Sequence, residues 1–309
     1  MTSSIHPTVR LTSQQRLEGI WNKRTYTIVR LIGEGARGSI YLARIGNRYV
    51  ALKISQDSSV ISAEVNVLKE FKKVQGPPLG PLLLDVDDAY ISHDLKLAFY
   101  VMEYIDGVPV SDWVKREGLS WLFPISFQLL KKLHKIHQLG YIYGDLKPDN
   151  ILIDRKTKQA RLVDVGGVTA LGRAIREYTT WFDRGYWRLG DRRADVTYDL
   201  FAFAVCLLSL DPHVTIHNTK ERDIYKVLNQ AKSLKPLTPI LKKALSGQYN
   251  NALELKSELG VINRKQLQPT KSNRKTATNP KIDFWPEALG LSSIILVHAG
   301  LFYFLFYRI

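Results

Sequence analysis

The residues best equipped for chemistry lie in Tyr143-Gly144-Asp145-Leu146-Lys147-Pro148-Asp149-Asn150, followed by Asp164-Val165-Gly166. Asp145 offers a carboxylate, Lys147 a cation close behind it, and Asn150 an amide. Asp164 adds a second carboxylate in a later glycine-containing turn. Phosphoryl transfer from a nucleotide needs a base for the attacking hydroxyl, oxygen ligands for a divalent metal, and cations against developing charge. Two acids and an asparagine could each cap a loop instead, but their joint order favours the chemical reading.

A second group lies upstream. Gly33-Glu-Gly35-Ala-Arg-Gly38-Ser-Ile40 is a glycine-rich turn in which phosphate oxygens could approach the backbone closely. A dinucleotide fingerprint would need a helix directly afterwards. Ile40-Tyr-Leu-Ala reads as a strand, so a hairpin lid is expected instead. Ala51-Leu52-Lys53 then places a lysine inside an apolar strand, where its charge needs a partner. Nucleotide phosphates and a carboxylate could both pair it; Glu64 is the first candidate and Glu70 the second.

The elements that must hold these groups follow from periodicity. Tyr26–Leu31, Ser39–Arg44, Tyr49–Ile54 and Leu97–Ile105 read as strands of an antiparallel sheet, and Ser59–Phe71 as a helix. From Ser111 onward the pattern is mostly helical. Leu200–Leu210 is apolar on all sides and is expected inside a larger lobe. The reading divides the chain into an N-terminal arm (1–25), a small lobe (26–102), a hinge and large lobe (103–262), a basic linker (263–284) and an apolar end (285–309). Cys206 lies in the apolar run and reads as a core residue rather than a nucleophile. His134 and His137 read as packing rather than as metal ligands.

The 309 residues, 45% hydrophobic, suffice for a two-lobed domain and exclude general disorder. Met1–Arg10 has no apolar stretch, so no secretory leader is expected. Leu289–Tyr307 holds no Asp, Glu, Lys or Arg. At about 28 Å it matches the hydrocarbon core of a bilayer, so one membrane-spanning helix is expected. Basic residues before it, Arg264 to Lys281, place the rest of the chain in the cytoplasm. A net charge of +15 implies an anionic partner: a nucleic-acid backbone, acidic lipid or acidic proteins. Lys131, Lys132 and Lys135, and Arg155, Lys156, Lys158 and Arg161, are the clusters expected to carry it.

These motifs, in this order over about Tyr26–Gly260, resemble the Hanks-type protein kinase family. The resemblance implies an α+β two-lobed fold, ATP with Mg²⁺ or Mn²⁺, and transfer of the γ-phosphate to protein Ser/Thr, including autophosphorylation by self-association. It assigns Gly33, Gly35 and Gly38 to the phosphates, and Ile40 and Ala51 to the nucleotide pocket. Lys53 would bind the α/β-phosphates while paired with Glu64. Met102 would be the gatekeeper, with the backbone of Glu103 and Ile105 as the adenine-binding hinge. Asp145 would be the base, Lys147 the γ-phosphate's partner, Asn150 and Asp164 the metal ligands, and Asp199 a brace for the catalytic loop.

Val163-Asp-Val-Gly-Gly167, Gly172-Arg-Ala-Ile-Arg-Glu-Tyr178, Asp183-Arg-Gly-Tyr-Trp187 and the apolar end are similar to the YabT-like, membrane-anchored kinase subfamily of spore-forming bacteria. A place in sporulation is expected on that basis, while stimulation by DNA is expected from the excess positive charge. The chain departs from the wider family at Tyr143-Gly144 in place of His-Arg, at Val165 in place of Phe, and in lacking Ala-Pro-Glu after Tyr186. The late helices also lack the arginine that usually pairs with that glutamate. A small-molecule phosphotransferase is the rival reading, disfavoured by Lys147-Pro148. A membrane-bound pseudokinase scaffold is another, disfavoured by the presence of Lys53, Asp145, Asn150 and Asp164 together.

Overall fold

The computed structural model describes residues 10–216 and 222–267. The small lobe is built from β1 (Arg16–Glu18), β2 (Thr25–Gly35), β3 (Gly38–Ile45), β4 (Arg48–Ser55), α1 (Ser58–Lys72), β5 (Leu83–Ser92) and β6 (Leu95–Glu103). Its sheet runs β1-β2-β3-β4-β6-β5, antiparallel at each pairing. Side chains alternate across a strand, so β4 serves two interiors. Val50, Leu52 and Ile54 join Tyr26, Ile28, Tyr41 and Phe99 on one face, whereas Ala51 faces the core shared with α1. The same alternation turns Lys53 away from the Leu52 face. Asp57 caps α1 by accepting from the Ser59 amide at 2.8 Å, which fixes where the helix begins.

The large lobe contains β7 (Gly107–Pro109), α2 (Val110–Glu117), α3 (Leu122–Gln138), β8 (Tyr141–Ile142), β9 (Ile151–Asp154), β10 (Ala160–Leu162) and β11 (Thr169–Ala170). It continues with α4 (Val196–Ser209), α5 (Ile224–Gln230), α6 (Thr238–Leu245) and α7 (Ala252–Leu267). Two short sheets, β10-β9-β7 and β11-β8, frame the loop between β8 and β9. Every residue of α4 from Tyr198 to Leu208 is buried, as an all-round apolar helix requires. Cys206 is among them, and burial pushes its thiol pKa up, so it is inert.

Several boundaries differ from those read in the sequence. Residues 10–24 are not a loose arm: β1 pairs with β2, and Leu11 and Leu17 are buried. Asp87 explains the docking, since it accepts from the Trp21 and Asn22 amides at 2.9 and 2.7 Å. Helix α4 begins at Val196 and is capped by Asp195, a few residues before the apolar run at Leu200, which puts Asp199 in its first turn. Helix α7 runs past Asn263 into the stretch read as linker. Among the described residues no helix is long and apolar enough to cross a membrane. The expected span at Leu289–Tyr307 and the rest of the basic linker lie outside them.

Candidate active site

The nucleotide side of the site begins at the β2–β3 hairpin. Gly35 pairs with Gly38 and Gly33 with Ile40. Only Gly38 is dictated by its backbone: it has φ +132, and a Cβ there would fall 2.3 Å from the Ile54 carbonyl oxygen. A Cβ on Gly33 would make an ordinary contact with Ile40, and one on Gly35 would meet nothing within 4 Å. These two glycines therefore leave room over the turn. Below it, Ile40 sits opposite Lys53, and Ala51 opposite Met102.

Lys53 is buried, and its Nζ lies 2.7 Å from Glu64 Oε1 and 3.6 Å from Asp164 Oδ1. Glu64 is itself 1% exposed, and its other oxygen accepts from the Tyr100 hydroxyl at 2.8 Å. A buried carboxylate is tolerable only with such partners. Burial, helped by the charge of Glu64, pushes the Tyr100 phenol pKa well up, so it stays a donor. Glu70, the second candidate, instead pairs with Lys73 on the surface at 2.6 Å.

At the hinge, the Glu103 backbone N–H donates to the Leu82 carbonyl at 2.8 Å. Its side chain takes a two-pronged contact from Arg161, at 3.1 and 2.7 Å, which ties the end of β6 to β10. Ile105 is buried just beyond.

The catalytic loop hangs from Asp199, which is 0% exposed. Its oxygens accept from the Tyr143 and Gly144 amides at 2.7 and 2.9 Å and lie 2.8 Å from His137 Nε2. His137 is thus a structural tie between α3 and α4, and no group of acids, histidines or cysteines among the described residues could hold a metal alone. Asp145 Oδ2 accepts from Lys147 at 2.7 Å and Oδ1 from the Thr179 amide and hydroxyl, both at 2.9 Å. Lys147 also reaches the Thr179 hydroxyl at 2.8 Å. The Asn150 side-chain amide donates to the Asp145 carbonyl at 2.8 Å, and the Asn150 backbone carbonyl accepts from the Val163 amide at 3.1 Å, next in sequence to Asp164. Asp164 Oδ1 accepts from the Gly166 amide at 2.9 Å. An amide oxygen and one carboxylate are the hard, sparse donor set that suits Mg²⁺ or Mn²⁺ shared with substrate phosphates.

Steric contact explains Gly144 where the wider family carries arginine. Gly144 has φ +80, and a Cβ there would lie 2.2 Å from the Gly167 carbonyl oxygen. Reciprocally, a Cβ on Gly167 would lie 2.8 Å from the Asp145 Cβ. The catalytic loop and the segment after Asp164 are pressed backbone to backbone, and neither position can hold a larger residue.

The missing Ala-Pro-Glu has a local substitute. Arg184, buried, reaches Asp195 at 2.6 Å, Asp191 at 3.0 Å and the Thr197 hydroxyl at 2.6 Å. Burial by itself would raise the Asp195 pKa, but Arg184 and Thr197 outweigh it and hold that carboxyl below its usual range. Asp183, 0% exposed, accepts from the Gly185 and Tyr186 amides, from the Tyr198 hydroxyl and from Arg192. Sequence reasoning missed Thr179, Tyr100, Arg161 and His137 as parts of the site. The Asp183-Arg184 pair before an aromatic stretch was its visible signal for the substitute network.

The basic clusters are partly spoken for. Lys132 is buried and donates to the Pro78 carbonyl, and burial drives its amine down to about 8. Lys135 donates to the Gln75 carbonyl at 2.7 Å, Arg155 pairs with Asp106 at 3.2 Å, and Lys158 lies over the Trp113 ring. Arg161 is buried on Glu103, so Lys132 and Arg161 are committed inside the fold, whereas Lys131, Arg155, Lys156 and Lys158 stay exposed.

Residues 26–285 match the protein kinase domain family. The chain is 41% identical over 276 residues to the serine/threonine-protein kinase YabT of Bacillus subtilis (strain 168), covering 86% of this chain and 80% of that one. It is similar in fold to the PknI kinase domain of Mycobacterium tuberculosis, with a TM-score of 0.58 at 18% identity, covering 82% of this chain and 100% of that one. Vaccinia related kinase 3 gives a TM-score of 0.61 at 14% identity, covering 84% and 93%. The match over most of its length, together with the constellation around Asp145, means that this chain belongs to the protein kinase family and is a protein serine/threonine kinase using ATP and a divalent metal.

Proposed function

We propose that Asp145 is the base of this kinase, and that Lys53, Lys147, Asn150 and Asp164 handle the triphosphate and its Mg²⁺. The observation that carries the assignment is the cluster of Lys147, Asn150 and Thr179 on the Asp145 carboxylate, with Asp164 beside the Lys53–Glu64 pair. Asp145 takes the proton of the acceptor hydroxyl as its oxygen bonds to the γ-phosphorus and the bond to ADP breaks. Lys147 moves from Asp145 Oδ2 to the transferring phosphate, which frees that oxygen for the proton. Lys53, fixed by Glu64, holds the α/β-phosphates. Asn150 and Asp164 would hold the metal, whose chemistry would be to neutralise phosphate charge. Gly33, Gly35, Gly38, Ile40 and Ala51 enclose the nucleotide, and the Glu103 and Ile105 backbone receives adenine. Asp145→Asn should lower turnover by roughly 10²–10⁴ with nucleotide still bound. Wild-type turnover in that variant removes the assignment.

The same proposal places the kinase at a membrane, held by Leu289–Tyr307, with its catalytic lobes in the cytoplasm. The support is that run's lack of charge and its basic N-terminal flank. The excess charge would meet a DNA backbone or anionic lipid, and gathering copies there would favour autophosphorylation in trans. With Lys132 and Arg161 committed inside the fold, the linker's own Lys and Arg become the main candidates for that contact. A role in sporulation rests on the resemblance alone. Retardation of DNA by the full chain, compared with its binding to anionic vesicles, separates the two partners.

A further inference from the structure

The segment Gly172–Asp195 carries six arginines and four carboxylates. All four carboxylates are already ion-paired: Glu177 with Arg37, Asp183 with Arg192, and Asp191 and Asp195 with Arg184. Arg173, Arg176, Arg188 and Arg193 are exposed, and among the described residues no carboxylate pairs with them. The segment's surplus of positive charge is therefore left facing outward.

Its location makes the surplus informative. Thr179 bonds to both Asp145 and Lys147, so the chain leaving Thr179 runs directly from the base. The stretch just after Thr179 is therefore the ground nearest along the chain to a polypeptide presenting its hydroxyl to Asp145. That ground is aromatic and cationic: Trp181, Tyr186 and Trp187 pack edge to face, and Arg222 lies over the Tyr186 ring at 4.8 Å. Arg188 directly follows Trp187 and has φ +58, a backbone state that disfavours any residue with a Cβ. The turn is held there by the bond from the Leu189 amide to the Arg184 carbonyl at 3.0 Å. A glycine at 188 would make the same turn without strain. An arginine retained in a strained position points to a use for its side chain. Arg193 is set against Gly172 by the antiparallel bridge between Ala174 and Arg193.

We propose that the kinase selects acceptors whose Ser or Thr is flanked by acidic residues, with Arg188 and Arg193 as specificity-determining contacts. The inference rests on the kinase reading above and adds the substrate class to it. An arginine meeting a carboxylate on this surface should raise kcat/KM about two- to fivefold per acidic residue. A basic flank meeting the same arginines is repelled, which widens the gap between acidic and basic peptides to about tenfold or more.

The test uses the full-length chain in detergent and three Ser peptides that differ only in acidic, neutral or basic flanks. Wild type should rank them acidic, neutral, basic in kcat/KM, and the spread should shrink as salt rises. Arg188→Glu should reverse the ranking at flanking positions near it, and Arg188→Gly, which relaxes the backbone, should flatten it without reversal. A preference for the basic peptide, or a ranking that neither variant moves, overturns the proposal while phosphorylation of the neutral peptide leaves the kinase reading intact. An unmoved ranking accompanied by loss of DNA retention in Arg188→Glu assigns the arginines to a polyanion and also overturns it. Failure of wild type on all three peptides would instead strike at the kinase reading.

Discussion

Replacing Gly144 by alanine tests the backbone-to-backbone contact that shapes the catalytic loop. The added Cβ would lie 2.2 Å from the Gly167 oxygen, where ordinary contact begins at 3.4 Å, so the two segments must part by about 1 Å. The left-handed φ of +80 adds strain of about 1 kcal/mol, and the overpacking about 1–3 kcal/mol. The sum, about 2–4 kcal/mol, should lower the melting temperature by roughly 5–15 °C in a domain of this size. The separation falls on Asp145, whose own Cβ is close to Gly167, and a misplacement of about 1 Å costs on the order of 10² in rate. Thermal melting and turnover on one peptide measure both effects. Gly144→Arg should do no better than Gly144→Ala, because the obstacle is the Cβ and not the missing guanidinium. Wild-type melting and turnover in Gly144→Ala would refute the steric account.

Glu64→Gln leaves Lys53 buried beside a neutral partner and should raise the KM for ATP and lower kcat, together about tenfold or more in kcat/KM, read from initial rates. Arg184→Met removes the charge that pairs Asp191 and Asp195; because both acids are partly exposed and can rehydrate, about 1–3 kcal/mol should be lost in denaturant unfolding, with weaker peptide turnover. Lys132 gives a pH signature. Its amine is held near 8 in the fold and near 10.5 in the unfolded chain, so the unfolded state binds the extra proton between those values. Its unfavourable contribution is full below pH 8 and is relieved as pH rises to about 10.5. Wild type should therefore gain about 2–3 kcal/mol relative to Lys132→Met over that range, and parallel curves would contradict it.

Much of the architecture was legible because periodicity and motif order report it directly. The strands around the glycine turn, helix α1 and the buried α4 follow from alternation and from all-round apolarity. The arrangement of Asp145, Lys147, Asn150 and Asp164 was visible because these groups lie close in sequence. What escaped depends on distant partners. Leu11 and Leu17 look unremarkable until Tyr41 and β2 supply their neighbours. Arg161 read as one of a surface cluster, because nothing local announces that Glu103 stands across from it. Thr179 carries no local sign of its role for the same reason: its partners lie 32 and 34 positions away.

The Asp183–Arg184 network also governs how the molecule opens. In knitting Gly185, Tyr186, Asp191, Arg192 and Asp195 to one another and to Thr197 and Tyr198, it fastens this stretch to the first turn of α4. The late helices contribute no ion pair to it among the described residues. Amide protons from Arg184 through Tyr198 should then exchange with solvent as one cooperative unit, with an opening free energy shared with the start of α4. Because α6 buries Ile240, Leu241, Ala244 and Leu245 in the same core as α4, loosening of the late helices reaches this unit through apolar contact rather than through charge.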